Sequence, residues 1–314
     1  MAGMKTMKIL VSGASGLVGT ALVRHLKQQG HRVIALTRST PGQAADGQVD
    51  GQVDTIAWAP AQDWIDQAAL DALEGLDAVV HLAGENIASG RWSPAKKSRI
   101  RSSRVEATAL LAKALAACKQ PPATFISASA IGFYGEGHNL DETSRPGTDF
   151  LAQTCAAWEA ASEPLAGVGT RQVWLRLGIV LSPDGGALKQ MLPVFRLGGG
   201  GPLGSGQQYM SWVSLQDVVR VIEFALVNEG VVGVYNTVSP NPVTNKTFTQ
   251  ALGKAVHRPA FFPVPAFVIG LIFGEMGQTL LLGSAQVFPR RLQEAGYTFE
   301  HPDIGPALQA LLSG

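Results

Sequence analysis

The chain alternates between short apolar runs and longer stretches in which apolar residues recur every three or four positions. Lys8–Ser12, Arg32–Thr37 and Asp54–Trp58 are short and rich in β-branched or aromatic residues, which predicts strands. Asp77–Leu82 is apolar on both faces, as a central parallel strand must be. Thr20–Gln29 has helical periodicity and stops at Gly30. A long helix follows over Pro94–Ala117, with Lys and Arg in its first half and Ala and Leu from Ala107 onward. A strand at Thr124–Ser127, a helix around Leu151–Leu165 and a strand at Gln172–Leu177 continue the alternation. Repeated β–α alternation predicts an α/β fold of the Rossmann type, a doubly wound parallel sheet with right-handed crossovers.

Beyond Leu181 the texture changes. Pro183–Gly186 and Gly198–Gly201 punctuate a loop-rich region, with an apolar helix at Ala187–Phe195. Helical periodicity returns over Ser214–Val227, opened by a Ser cap with Asp217 on its third residue. Val234–Val238 reads as a strand and Thr244–Val256 as a helix. These segments divide the chain into a large domain, 1–181 with 211–237, and a smaller C-terminal α/β lobe, 182–210 with 238–314. Phe261–Leu282 is apolar enough to suggest a membrane span, but Pro263, Pro265 and Glu275 interrupt it, and a buried helix is expected instead. A tandem Gly-Gln-Val-Asp at 47–50 and 51–54 has no further period and reads as a lengthened surface loop.

Hydrophobic residues at 46% and charged residues at 16% exclude disorder, and a net charge of +1 gives no global attraction to nucleic acid or anionic membrane. The two cysteines, Cys118 and Cys155, lack metal-ligand spacing, which argues against zinc or a disulfide scaffold and fits a cytoplasmic compartment. Lys5 and Lys8 precede only three apolar residues, too few for a secretory signal.

The first strand and helix flank Ser12-Gly13-Ala14-Ser15-Gly16-Leu17-Val18-Gly19, a GxxGxxG loop. Gly13 allows the tight turn and Gly16 lets backbone approach a pyrophosphate. Gly19 brings helix against sheet, and the helix N-terminus offers free N–H groups to the anion. An NAD-selective site carries an acidic residue at the end of the second strand, where this chain has Thr37-Arg38. Arg38 suits a 2′-phosphate, which selects NADP; an ordinary solvated arginine is the alternative. Leu82-Ala83-Gly84 offers small residues where cofactor passes close to backbone. His81 before it reads as structural, and Arg99, Arg101 and Arg104 as either a phosphate-facing or a solvated basic face.

With those residues in place the chain resembles an extended short-chain dehydrogenase/reductase of the sugar-nucleotide epimerase type. The resemblance runs through Ser12–Gly19, Val79–Ala83, Ser129 to Tyr134-Gly135, Ser211–Asp217 and Tyr235-Asn236. More narrowly it is similar to an atypical subgroup known as "epimerase family protein", with a C-terminal domain of unknown function. That likeness rests on Ala83–Ile87, Trp158-Glu159, Arg176–Gly186, Leu192–Gly206, Pro240–Phe248 and Phe262–Pro265. It implies an NADP-binding domain and a smaller lobe enclosing a cleft for a small molecule. The cofactor-contacting set is then Gly13, Ser15, Gly16, Leu17, Val18, Gly19, Thr37, Arg38, Leu82, Ala83, Gly84, Glu85, Arg99, Arg104 and Val180. A homodimer is a further expectation, with neither nucleic acid nor membrane as a partner.

The family's chemistry uses a Tyr acidified by a Lys four residues later. Four residues after Tyr134, Tyr209, Tyr235 and Tyr297 stand His138, Val213, Ser239 and His301, so the pair is absent. The usual serine falls on Ala130, with Ser129 beside it. Ser129, Tyr134 and Glu85 remain as catalytic candidates, with Cys155 and Glu159 flanking; each also has an ordinary structural reading. The glycine-rich stretch 197–206 lacks a Gly-Lys-Ser/Thr and is a connector or a lid. Two functions fit: an NADP(H)-dependent oxidoreductase or epimerase-like enzyme without the usual pair, or a cofactor-binding regulatory or scaffold protein without turnover.

Overall fold

A computed structural model describes residues 6–39, 53–66 and 70–313. Nearly all of the tandem repeat at 47–54 therefore lies outside the described residues. Up to Leu177 the chain carries strands β1 (Lys8–Ser12), β2 (Arg32–Arg38), β3 (Asp54–Ala59), β4 (Trp64–Ile65), β5 (Ala78–His81), β6 (Thr124–Ala130), β7 (Gly137–Leu140) and β8 (Arg171–Leu177). Its helices are α1 (Leu17–Gln28), α2 (Leu70–Leu73), α3 (Pro94–Ala116) and α4 (Phe150–Ala160). The rest of the chain adds β9 (Ile179–Leu181), α5 (Gly186–Arg196), β10 (Tyr209–Met210), β11 (Trp212–Ser214), α6 (Leu215–Val227), β12 (Gly233–Thr237), β13 (Val243–Thr244) and α7 (Asn245–Ala255). The C-terminal segment contributes α8 (Ala266–Phe273), α9 (Glu275–Gly277), β14 (Ala285–Val287), α10 (Arg290–Glu294) and α11 (Ile304–Leu312).

Eight strands form the main sheet in the order β12-β8-β6-β5-β1-β2-β3-β4, all parallel except the β3–β4 pair. The expected doubly wound α/β sheet is therefore present. Alternation along each strand divides its apolar residues between two cores. Ile9, Val11, Ile126 and Val173 face Leu22, Val23 and Leu26 of α1 and the apolar side of α6. Leu10, Val79 and Phe125 face Leu111 and Leu115 of α3. The expected helix at Leu151–Leu165 is in fact α4 followed by a 3-10 turn over Glu163–Val168, where Pro164 removes a backbone donor.

A third core joins α5, α7 and α11 through Leu188, Leu192, Phe195, Phe248, Leu252, Ala307 and Leu308. The chain between these helices returns to the first part of the molecule: β14 pairs with β7 in a separate two-stranded sheet, and Leu292 and Tyr297 enter the α1/α6-side core. One expectation fails here. Phe261–Leu282 is not a single buried helix: Phe261, Phe262, Phe267, Leu271 and Ile272 are exposed. Pro263 and Pro265 keep the first residues extended, and Gly274, at φ 60°, ends α8 after eight residues, too short to bury its whole circumference. Among the described residues no helix is long and apolar enough to cross a membrane.

Candidate functional site

In the parallel register Ser12 lies opposite both Leu36 and His81, and His81 opposite Ser127. The C-terminal ends of β1, β2, β5 and β6 thus share one edge, the edge at which doubly wound sheets take ligands. The glycine loop leaves this edge at Ser12. Gly13 has φ 69°, and a Cβ there would lie 2.8 Å from the Leu82 carbonyl carbon. A Cβ on Gly19 would lie 2.1 Å from the Gly13 carbonyl oxygen, so α1 approaches the loop as closely as backbone allows. Gly16 caps α1 with no side-chain hydrogen bond, and Ser15 and Gly16 are exposed while Leu17 and Val18 are half-buried. Uncapped first-turn N–H groups beside exposed backbone form a cradle that fits a pyrophosphate.

The cradle is fixed from below. Ser12 Oγ accepts from the Leu82 and Ala83 N–H groups at 3.1 and 3.3 Å and lies 2.6 Å from His81 Nδ1. Having accepted twice, the hydroxyl donates to Nδ1, so the Nε2 proton points to Thr108 Oγ1 at 2.9 Å. His81 is fully buried, and burial pushes its pKa down to about 4. It is a neutral structural group that ties β1, β5 and α3 together.

The loop after β5 is held in turn by α3. Glu85 Oε1 accepts from Lys96 Nζ at 2.8 Å and lies 3.6 Å from Arg99 Nε, and the lysine ammonium holds its carboxyl below the usual range. Arg104 donates to the Glu85 and Ile100 carbonyls at 3.0 and 3.1 Å and lies over Trp158. Its guanidinium also covers Gly84, where a Cβ would lie 3.2 Å away. Glu85 and Arg104 thus shape the loop with their charged atoms already bonded, while Arg99 is largely exposed. Val180 lies on β9: its carbonyl and the Leu17 side chain both border Gly186, so the chain after β8 meets the glycine loop directly. Thr37 leans on β3 through the Ile56 carbonyl. Arg38, at the end of β2 and paired there with Trp58, is exposed, and its side chain makes no hydrogen bond or ion pair among the described residues.

Ser129 and Tyr134, unlike the exposed Ser15 and Gly16, offer buried side chains. Both are buried, in a polar network beneath the ends of β6, β8 and β12. Ser129 Oγ donates to Glu159 Oε1 at 2.6 Å, and Arg176 grips the same carboxylate with two bonds of 2.8 and 2.7 Å. Arg176 Nη1 donates to Tyr134 Oη at 2.9 Å, and Tyr134 donates to Asn236 Oδ1 at 2.7 Å. The guanidinium also lies over Phe133, 3.3 Å from the ring centroid. Burial pushes the Tyr134 phenol above its usual pKa, against the pull of Arg176. The pair that α4 turns toward the loop after β6 is Leu151 and Cys155, since a Cβ on Gly132 would lie 3.3 Å from Leu151 Cβ and 3.9 Å from Cys155 Sγ. Burial, with the nearby Glu159 charge, pushes the Cys155 thiol up to about 12. A hydrocarbon and an un-ionised thiol stand there.

Sequence reasoning passed over Ser12, Lys96 and the Glu159–Arg176 pair. Only the last announced itself: an arginine inside the apolar strand Gln172–Leu177 demands a buried partner. Among the described residues no group of three or more His, Cys, Asp or Glu is placed to hold a metal ion.

Against known proteins, the NAD dependent epimerase/dehydratase family matches residues 9–237, and a domain of unknown function, DUF1731, matches 264–311. Epimerase family protein Mb2239 of Mycobacterium bovis is 41% identical over 302 residues, 96% of each chain. Human epimerase family protein SDR39U1 is 38% identical over 312 residues, 98% of this chain and all of the human one. The crystal structure of human SDR39U1 isoform 2 with NADPH superposes with a TM-score of 0.87 at 36% identity, covering 98% of this chain and 99% of that one.

Proposed function

The chain belongs to the NAD dependent epimerase/dehydratase family, and from that premise we propose that it binds NADP(H) and acts as an oxidoreductase or epimerase-like protein on a small molecule in the cleft beside the glycine loop. One observation carries the cofactor: the exposed, uncapped start of α1, held against Leu82 and Ala83 by two glycines that admit no side chain. The backbone of Gly13–Gly19 would hold the pyrophosphate, Leu82–Gly84 and Val180 would border the rest of the cofactor, and Arg38 would meet a 2′-phosphate. The human relative crystallised with NADPH supports the same choice. When bound, the cofactor supplies hydride transfer. This chain's residues supply anion binding and exclusion of water; the proton comes from something other than a Tyr–Lys pair.

A second reading, binding without turnover, is favoured by Leu151 and Cys155 standing on the inward face of α4. Fluorescence titration with NADPH and NADH, followed by NADPH-consumption assays over carbonyl compounds and sugar nucleotides, separates the two. Binding with turnover supports the first reading, and tight binding with no consumption across the panel supports the second. Absence of NADPH binding would remove both.

A further inference from the structure

The stretch from Pro265 to Gly283 is built as a flap. Its two ends meet at Gly204, where a Cβ would lie 3.0 Å from Leu282 Cδ2 and 3.7 Å from Ala266 Cβ. Backbone bonds fix this base: the Gly204 N–H donates to the Val264 carbonyl at 2.8 Å, the Val264 N–H to the Pro202 carbonyl at 2.9 Å, and the Gly137 N–H to the Ser284 carbonyl at 2.9 Å. In between, α8 and α9 pack on each other through Ile269, Phe273 and Gly277, and a π-helical turn over Gln278–Leu282 leads back. The far tip, Gly274-Glu275, reaches α3 and the loop before it. Arg91 lies against Gly274, where a Cβ would be 3.0 Å from its Nη2, and Lys97 Nζ donates to Glu275 Oε1 at 2.5 Å. Lys97 is held ready for that bond, because its ammonium sits over the Phe150 ring at the start of α4, and Trp92 meets the same ring edge-on.

We propose that residues 265–283 are a lid on the dinucleotide site and that the Lys97–Glu275 ion pair is its catch; the site itself is the one proposed above for NADP(H). Position is the first argument. The loop after β5 and the turn after β6 both leave the sheet at the edge that takes ligands. The flap touches the first at Arg91 and the second at Glu136, whose Oε1 would lie 3.6 Å from a Cβ on Gly283. It therefore crosses that edge beside the start of α4. Attachment is the second argument. The base is held by backbone, whereas among the described residues Lys97–Glu275 is the only hydrogen bond or ion pair from 265–283 to residues before 182. Lys97 and Glu275 are 30% and 47% exposed. An ion pair so open to water adds little stability and is screened by salt, which suits a contact that parts and recloses rather than a brace.

Stopped-flow binding of NADPH to the full chain tests the catch, with E275Q, K97M and the double variant K97M/E275Q. A lid that must open for entry and for exit slows both directions alike. Each single variant is expected to raise the association and dissociation rate constants together by about fivefold, the most that an exposed pair supplies, with Kd changed by less than about twofold. The double variant should add nothing further, and in about 0.5 M salt the difference between wild type and E275Q should close. Unchanged rate constants overturn the proposal, and so does a weaker Kd at an unchanged association rate, because the pair would then be a brace or a ligand contact. Hydrogen exchange of the ligand-free chain is the second measurement. Amides of 275–283 should exchange at least about threefold faster in E275Q than in wild type, with α1 and α6 unchanged, and equal exchange overturns the lid. A wild type that binds no NADPH removes the functional reading and the lid's role with it, whereas binding with unchanged rates removes the lid alone.

Discussion

Arg38 is exposed at the end of β2 without a partner among the described residues, so its substitution should change ligand choice and leave the fold intact. Charge-assisted bonds from a guanidinium to a phosphate contribute about 1.5–3 kcal/mol. R38D is therefore expected to weaken NADPH by roughly ten- to a hundredfold and leave NADH nearly unchanged. Paired fluorescence titrations check this, and an unchanged NADPH/NADH ratio would remove Arg38 from the site. His81 makes a different prediction. Its folded pKa of about 4 lies below the ordinary histidine value of 6.5, so beneath pH 6.5 the unfolded chain takes up a proton that the folded chain refuses. Its contribution is complete above that pH and falls away toward pH 4, by up to about 3 kcal/mol. His31, also lowered by burial, acts in the same sense, so the measurement is a comparison: urea unfolding of wild type and H81N from pH 7 to 4.5. The variant should be less stable at pH 7 and show the shallower decline. Parallel declines would mean that His81 is charged in the fold.

At the scale of elements, what was legible in the sequence follows from what hydrophobic pattern encodes. The glycine loop, β1–α1–β2 and the Ser214 cap of α6 were readable because each is local: spacing or a cap fixes it within a few residues. Ser214 indeed accepts from the Asp217 N–H, as its position implied. The site beneath α4 was not readable, because it joins residues from a helix, three strands and a turn. Ser129 and Tyr134 stood out as candidate chemistry, yet Glu159 and Arg176 hold them in a buried lattice. That lattice has its own consequence. Arg176 and Glu159 are 4% and 12% exposed, so R176M leaves a carboxylate buried without its partner and should cost about 3–5 kcal/mol. E159Q/R176M removes both charges and should be less destabilising than R176M alone, with a coupling of at least about 2 kcal/mol in a double-mutant cycle. Additive costs would show that the two charges do not support each other. Phe261–Leu282 teaches the converse: its hydrophobicity announced a buried helix, and the structure leaves Phe261, Phe262, Phe267, Leu271 and Ile272 exposed.

At the scale of the molecule, the C-terminal segment is a structural part of the fold that carries the glycine loop. Asp217, fully buried at the start of α6, accepts at Oδ1 from Tyr297 Oη and the Glu300 N–H, and at Oδ2 from Ser214 Oγ and the His301 N–H. Leu292 and Tyr297 fill the core against α1 and α6, and Arg291 donates to the Val234 carbonyl on edge strand β12. On the opposite side of the lobe Lys97 Nζ on α3 reaches Glu275 at 2.5 Å, joining elements 178 residues apart. Ending the chain at residue 263 would open the α1/α6-side core and leave two carboxyl oxygens of Asp217 short of three donors, a loss of several kcal/mol from a fold whose whole stability is of order 5–15 kcal/mol. A chain of residues 1–263 is therefore expected to show no cooperative thermal transition and no NADPH binding. D217N in the full chain should unfold at a lower temperature by roughly 4–8 °C while retaining the cofactor. A truncated chain that melts cooperatively and titrates with NADPH would show that the sheet and its glycine loop stand without the C-terminal lobe, and that the lobe serves the cleft alone.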